Sequence, residues 1–508
     1  MKKNTKIGLV CLMLLALSVS SCKKYLNVNT NPNISQTATV QTLLPAGLLY
    51  VGTSVGVDLE IDGSFWAQYW TQSPGASQYR LLDSYTPYQD IFSTPWTNLY
   101  AAAENFYQLY NLADSQKKKQ YMAISLLMRA YTFQLITDGW GDVPFTQALK
   151  GQYADGHLVN PKYDSQMVVY NGIIAEIDSA NVLINPSDPV LPGADDLIYG
   201  GKMKEWQKFS NTLMLKVLLR MSMINPAAAK AGIMALYATS PAFIGVGDDA
   251  FIGYGYNTTN RNPLYAEEIG LFNTQNLMGS ATCIDSMNSN NDPRINVFYE
   301  PAGAYSTPTL NVFVGLTQGN YDAAYSSGIF SLPSQYVAGD ASPNAISATA
   351  PVNLITSYES LFLQAEVAAR GWVNGGTDST LFASAISASF NYYNNQLNTV
   401  TGLTGTANYN SYMAGGGHWT KYPTGAPADT LVKYIITQKW FAMCGNQGFE
   451  AWSEWRRTGY PNFLVYSVNS QIGNNFPKRF LYPTSESTVN ASYPGLAPLT
   501  SNVWWDVL

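Results

Sequence analysis

Charge is scarce in this sequence. Asp, Glu, Lys and Arg make up 12% of its 508 residues, about half of the usual share of roughly 25%. The net charge is −6, and losing Lys2, Lys3 and Lys6 with a leader peptide makes the remainder more acidic still. No basic cluster interrupts this balance, which excludes a nucleic-acid-binding surface of the usual kind. Histidine is rarer: His157 and His418 are the two in the chain. Of the 4 cysteines, Cys11 sits in the apolar leader and Cys22 just after it. Cys283 and Cys444 remain; they either pair in an oxidising compartment or, the reading favoured here, stand as buried free thiols. None of these residues has metal-ligand spacing, so no metal and no cofactor is expected.

Catalytic signatures are missing as well. There is no Gly-x-Ser-x-Gly elbow, no His-Glu-x-x-His and no phosphate-binding Gly-x-x-x-x-Gly-Lys loop. A glycosidase needs only two carboxylates about 5 to 10 Å apart, so the acidic pairs deserve weighing. Glu267 and Glu268 are adjacent and would point apart on a helix. Glu450 and Glu454 lie one helical turn apart, a spacing that usually marks a solvated face. No catalytic residue is expected from either pair.

What replaces charge is neutral polarity and aromatic surface: aromatics are 13%, with Tyr 35 and Trp 12. Such a surface suits neutral hydrogen-bonding ligands better than phosphates. The chain starts "MKKNTK", then "IGLVCLMLLALSVS", then "SVSSC" closing on Cys22. The apolar run is too short to span a bilayer core of about 30 Å. It reads as an export signal over 1–21, with Cys22 as a lipidated first residue of a bacterial lipoprotein. Acyl chains anchor by burying methylenes, so the body can remain soluble. The Asn-rich 22–38 segment reads as a tether.

The rest, 39–508, reads as a single mainly helical body. Helical spacing begins at Thr39–Val51 and recurs at 96–112, 117–142, 164–184 and 202–224, with a shorter helix from Pro226. The helix ending "LITDGWGD" is apolar nearly all round and closes on glycine before Pro144. Trp206, Phe209, Leu213, Val217 and Met221 make one face. Helices paired by modest connections suggest stacked hairpins of the tetratricopeptide kind, forming a scaffold over about 39–240 and 353–460. Between them, about 248–352 is a Gly-, Asn- and Tyr-rich loop region, and such long irregular stretches are usually functional or disordered. Strand signals are few and short.

The segment "QKWFAMCGNQGFEAWSEWRRTGYPNF" (438–463) concentrates tryptophan and arginine. As a helix, it places Phe449, Trp452 and Trp455 on one face, pairs Glu454 with Arg457, and lays Arg456 against Trp452. Gly459 supplies the left-handed stop and Pro461 blocks continuation. Every conspicuous residue then has a place in a packed, capped scaffold helix, which is the expectation adopted here in preference to a ligand groove.

Five stretches carry a family resemblance: "LMRAYTFQLITDGWGDVPFTQAL", "EWQKFSNTLMLKVLLRMSMI", "YESLFLQAEVAARGW", "IITQKWFAMCGNQGFEAWSEWRRTGYPNF" and "PKRFLYPTSESTVN". In this order, from about 125 to 490 and behind a lipobox, they resemble the SusD/RagB family, nutrient-binding lipoproteins of Bacteroidota outer membranes. The closest likeness is to its SusD-like, starch-binding-associated branch. The resemblance implies a mainly α fold with a tetratricopeptide-like superhelix. It implies a surface lipoprotein that captures an oligosaccharide, or in some relatives a peptide, and acts as a lid on a SusC-like, TonB-dependent barrel. It also implies a binding protein and not a hydrolase. A surface glycoside hydrolase and a pure protein adaptor are the competing readings. No ligand residue is carried over from the family.

A glycan site needs exposed aromatics on loops, because stacking removes the apolar C–H face of a sugar from water while polar side chains meet its hydroxyl rim. The stretch "FWAQYWTQSPGASQYRLLDSY" offers Trp66, Tyr69, Trp70, Tyr79 and Arg80, followed by Tyr85. The loop region offers Tyr305, Tyr321 and Tyr325, preceded by Tyr299. Core packing is the competing fate of each ring, most of all for Trp66 and Trp70, which share a face if helical.

Overall fold

A computed structural model describes residues 38–151, 156–308, 310–340, 342–373 and 377–508. The leader, Cys22 and the tether up to residue 37 lie outside the described residues. The architecture is mainly helical. The helices Val40–Thr53, Ser93–Ser115, Lys119–Trp140, Gln166–Leu183, Met203–Arg220 and Pro226–Ala238 pack in succession as antiparallel-type hairpins. A second run, Ser357–Ala369, Asp378–Tyr392 and Ala428–Met443, repeats the pattern, and Ser357–Ala369 rests on Met203–Arg220. Buried apolar side chains from Val40 to Trp505 form one continuous core.

The sequence explains most of these boundaries. Lys119–Trp140 is buried on almost every side, as an all-apolar pattern requires. It ends where Gly141 takes φ +81°, a conformation cheap only for glycine. Pro226 begins its helix behind Asn225, whose side chain accepts the Ala228 N–H at 3.3 Å. Thr356 caps Ser357–Ala369 by accepting the Glu359 N–H. In each case a free N–H in the first turn finds an oxygen.

The 248–352 region contains short helices, among them Pro263–Gly270 and Ala281–Ser289, and short two-stranded pairings. Trp70–Gln72 runs antiparallel to Leu277–Gly279, and Ala250–Ile252 runs antiparallel to Val352–Ile355. These ladders tie the loop region to the start of the scaffold and to its resumption.

Gly448–Thr458 lies against Leu59–Trp66 at backbone contact. A Cβ on Gly63 would stand 2.1 Å from the Phe449 nitrogen, so only glycine permits that approach. The expected aromatic face is present: Phe449, Trp452 and Trp455 are buried, and the Arg456 guanidinium carbon sits 3.4 Å from the Trp452 ring centroid. Gly459 adopts φ +73° at the stop.

One expectation fails here. Glu450 and Glu454 do not lie on a solvated face; both are buried in an ion network. Glu450 meets Lys216 at 2.8 Å and Arg220 at 2.6 Å, while Glu454 meets Arg220 at 2.5 Å and Arg457 at 2.6 Å. Glu359, Glu366 and Asp138 complete the carboxylates, with Lys439 nearby. The expected Glu454–Arg457 pair is present, but Lys216, Arg220 and Lys439 come from other helices, which a single-helix reading does not see.

Candidate functional site

A buried polar bed forms where three distant chain segments meet. Asp83, fully buried, accepts hydrogen bonds from Thr71 Oγ1 at 2.7 Å, from the Gln72 N–H at 2.9 Å and from Gln318 Nε2 at 2.7 Å. Burial pushes its carboxyl up to about 6, with those donors pulling the other way. The Gly319 N–H donates to Thr71 Oγ1. The third segment joins through the Val468 N–H to the Gln318 carbonyl, the Gln471 N–H to the Ser84 carbonyl, and Asn469 Nδ2 to the Gly319 carbonyl at 2.9 Å. Buried bonds of this kind fix loops, because breaking one strands a polar group.

Above this bed stand groups that are exposed or half-buried. The 73–79 turn is closed by the Tyr79 N–H donating to Gln72 Oε1 and the Gly75 N–H to Ser73 Oγ. Arg80 Nε bonds back to the Ala76 carbonyl, and its guanidinium carbon sits 5.2 Å from the Tyr321 ring centroid. Tyr325, 41% exposed, lies along Gly75, where a Cβ would stand 3.0 Å from its Cε1. Tyr305, 53% exposed, follows Ala304, whose N–H donates to the Gly328 carbonyl at 2.9 Å. Arg80, Tyr305, Tyr321 and Tyr325 thus belong to two loops in contact. Asn469 Nδ2 also reaches Asp322 at 3.2 Å, adding a polar rim that sequence reasoning missed. Loop residues 147 positions apart leave no periodic signal that could have found it.

The remaining candidates are elsewhere. Trp66 is 2% exposed and sits in an aromatic core, 4.8 Å from Trp452 and 5.5 Å from Phe480. Tyr69 and Trp70 are fully buried. The Tyr69 hydroxyl donates to the Trp440 carbonyl, and Trp70 starts a strand with no solvent face. Tyr85 and Tyr299 are buried too, the latter donating to the Tyr69 carbonyl at 2.9 Å. Without exposure these rings cannot stack on a sugar, so they leave the candidate platform. Tyr79 is half-buried, edge-on to Phe65, with its hydroxyl on Glu268 at 3.2 Å; it supports the turn.

The Glu450–Glu454 pair offers no acid–base couple. Burial works against the ionised form of Glu450 and Glu454, yet Arg220, Lys216 and Lys439 outweigh it at Glu450, and Arg457, Lys439 and Arg220 at Glu454. Both are held below the ordinary carboxylate range, whereas a general acid needs a raised one. Among the described residues, no group of three or more His, Cys, Asp or Glu is placed to hold a metal ion. Cys283 and Cys444 are buried free thiols with sulfurs 3.9 Å apart.

Known proteins share both the sequence pattern and the fold. The model of a SusD-like family, described as starch-binding and associating with the outer membrane, matches residues 33–483. Among solved structures, a chitin-binding protein superposes with TM-score 0.75 at 25% identity, covering 91% of this chain and 100% of its own. A SusD homolog from Bacteroides fragilis gives 0.75 at 22%, covering 92% and 99%. A chitin-binding SusD homolog from Flavobacterium johnsoniae gives 0.70 at 22%, covering 91% and 98%. No curated protein matches the chain.

Proposed function

Because the chain belongs to the SusD-like family, whose model covers most of its length, we propose that it is a glycan-binding lipoprotein of the outer membrane. It is anchored through Cys22, holds an oligosaccharide at the cell surface, and passes it to a SusC-like, TonB-dependent barrel. Residues 39–508 act as one body, and catalysis is left to other proteins. The observation that carries this reading is the pair of contacting loops bearing Arg80, Tyr305, Tyr321 and Tyr325 over the Asp83 bed. The exposed Tyr305 and Tyr325 and the half-buried Tyr321 supply stacking faces, and Arg80 and Asp322 supply donors and acceptors for hydroxyls. Charge-poor surroundings keep the ligand class neutral.

The test is a titration against starch and chitin oligosaccharides, the two classes named by the family and by solved relatives. A stacking platform contributes about 1 kcal/mol, so Tyr321→Ala and Tyr325→Ala should each weaken binding roughly fivefold with unchanged melting. Native affinity in both variants would remove the platform. A ligand found only among peptides would move the protein to the peptide-binding reading. Release of reducing sugar by the purified protein would instead establish the hydrolase reading.

A further inference from the structure

Apart from the tyrosine loops, a chamber of about 250 Å³ opens between the turn Ser54–Asp58, the strand Val352–Ile355 and the residues after Ala428–Met443. Phe251, Tyr336, Tyr392 and Tyr393 form its walls. Its floor is set by Glu60 and Asn353, because both also line a second cavity behind it of about 20 Å³. That annex has room for about one water, so a larger ligand stops at the floor. The chamber itself is smaller than the roughly 300–1,000 Å³ of sites for drug-sized molecules. It shares no lining residue with the platform.

The floor is rich in donors. Asn353 is 2% exposed; its amide oxygen accepts the Tyr392 hydroxyl at 2.7 Å, and its amide nitrogen has no partner among the described residues. Beside it, Glu60 accepts the Gly448 N–H at 2.8 Å and the Ser64 hydroxyl at 2.9 Å. Burial pushes the Glu60 carboxyl up to about 8, so at neutral pH it carries a proton and no charge. An N–H₂ that opens on the chamber without a protein acceptor leaves a donor for a ligand, and a neutral acid on the same floor does not call for a cation. The complement of such a floor is an uncharged acceptor on a body small and apolar enough to lie among tyrosines.

We infer that this chamber is a second small-molecule site, taking a neutral ligand about the size of one sugar ring whose acetamido carbonyl faces Asn353 and Glu60. Two sources carry that group, an N-acetylated sugar and an acetylated amide of peptide type.

Calorimetric titration of the full chain with N-acetylglucosamine, N-acetylglycinamide, glucose and glucosamine tests the inference. At least one acetamide should bind, with glucose and glucosamine about tenfold weaker or absent; which acetamide binds identifies the source. Asn353→Asp removes the free donor and should weaken that binding about tenfold. Glu60→Gln keeps a donor in place and should hold affinity within about threefold. Tyr321→Ala should leave it unchanged. Should Asn353→Asp fail to fold, Gln396→Leu at the chamber lining provides the same comparison. Absence of acetamide binding, equal binding of glucose, tighter binding of glucosamine, or full affinity in the folded Asn353 or Gln396 variant overturns the site. Loss only in Tyr321→Ala would place the binding on the platform and leave that separate reading intact.

Discussion

Trp66 and Trp452 are both conspicuous in the sequence, and their rings lie 4.8 Å apart in one core. For Trp452, the i, i+3 spacing and the glycine stop are enough to specify a helix with a buried face. Trp66 stands close to a Ser-Pro-Gly turn, and proximity to a turn suggests a surface that the chain does not expose. Which side a ring faces depends on Phe480 and Trp452, hundreds of positions away, and no local pattern encodes them. Trp66→Ala should lower stability by about 3 to 5 kcal/mol without a selective effect on ligand binding. A variant that melts with the native protein would return the ring to the surface. Cys283 and Cys444 give a second test at this scale. Burial comes first in raising the Cys444 thiol well above its ordinary value, with Cys283 adding to it. Thiol reagents need access to a thiolate and both sulfurs are buried, so neither cysteine should be modified in the native protein and both should be in denaturant; rapid native labelling would contradict the packing.

At the scale of elements, long helices are legible because period and caps are local properties. Lys119–Trp140 and Gln166–Leu183 fall within a few residues of the expected spans. Of the ion network only the local Glu454–Arg457 pair is legible, since Lys216 and Arg220 reach Glu450 and Glu454 from a helix more than 200 positions earlier. Removing one member strands the others, and breaking a buried pair typically costs about 3 to 5 kcal/mol; Glu454→Gln should lose that much in urea unfolding. The elements Leu59–Trp66 and Pro263–Gly270, with the turn before the first, carry acids of the opposite kind. Burial raises Glu60 from 4.5 to about 8 and Glu268 from 4.5 to about 7; burial, then Glu267, raises Asp58 from 3.8 to about 7. The folded protein binds their protons more tightly than the unfolded chain. Stability should therefore fall as pH rises from about 4.5 to about 8, by about 1.4 kcal/mol per unit of each shift. Unfolding free energies that stay level or climb across that window would show that these carboxyls are not protonated in the fold.

At the scale of the whole molecule, the order of the five motifs identifies the architecture, while the geometry of the candidate site stays hidden. The loops carrying Tyr305, Tyr321 and Tyr325 have no periodicity, and their neighbours come from 72–80 and 467–471. The proposed lipid anchor at Cys22 makes one prediction about the full chain. If acyl chains on Cys22 supply the anchor, as proposed, Cys22→Ser should shift it from the membrane fraction to the soluble fraction; unchanged membrane retention would mean that something else holds it.

The hydrogen bonds of Asp83 and Gln318 fall at the feet of the tyrosine loops and not at their tips. Foundations and display are therefore separable. On the proposed function, exchanging the side chains of 74–78 and 320–328 should change the preferred sugar while Tyr79 and the anchoring residues stay constant. Transplanting those two tips from a relative of different appetite should carry its taste across without remodelling the frame underneath.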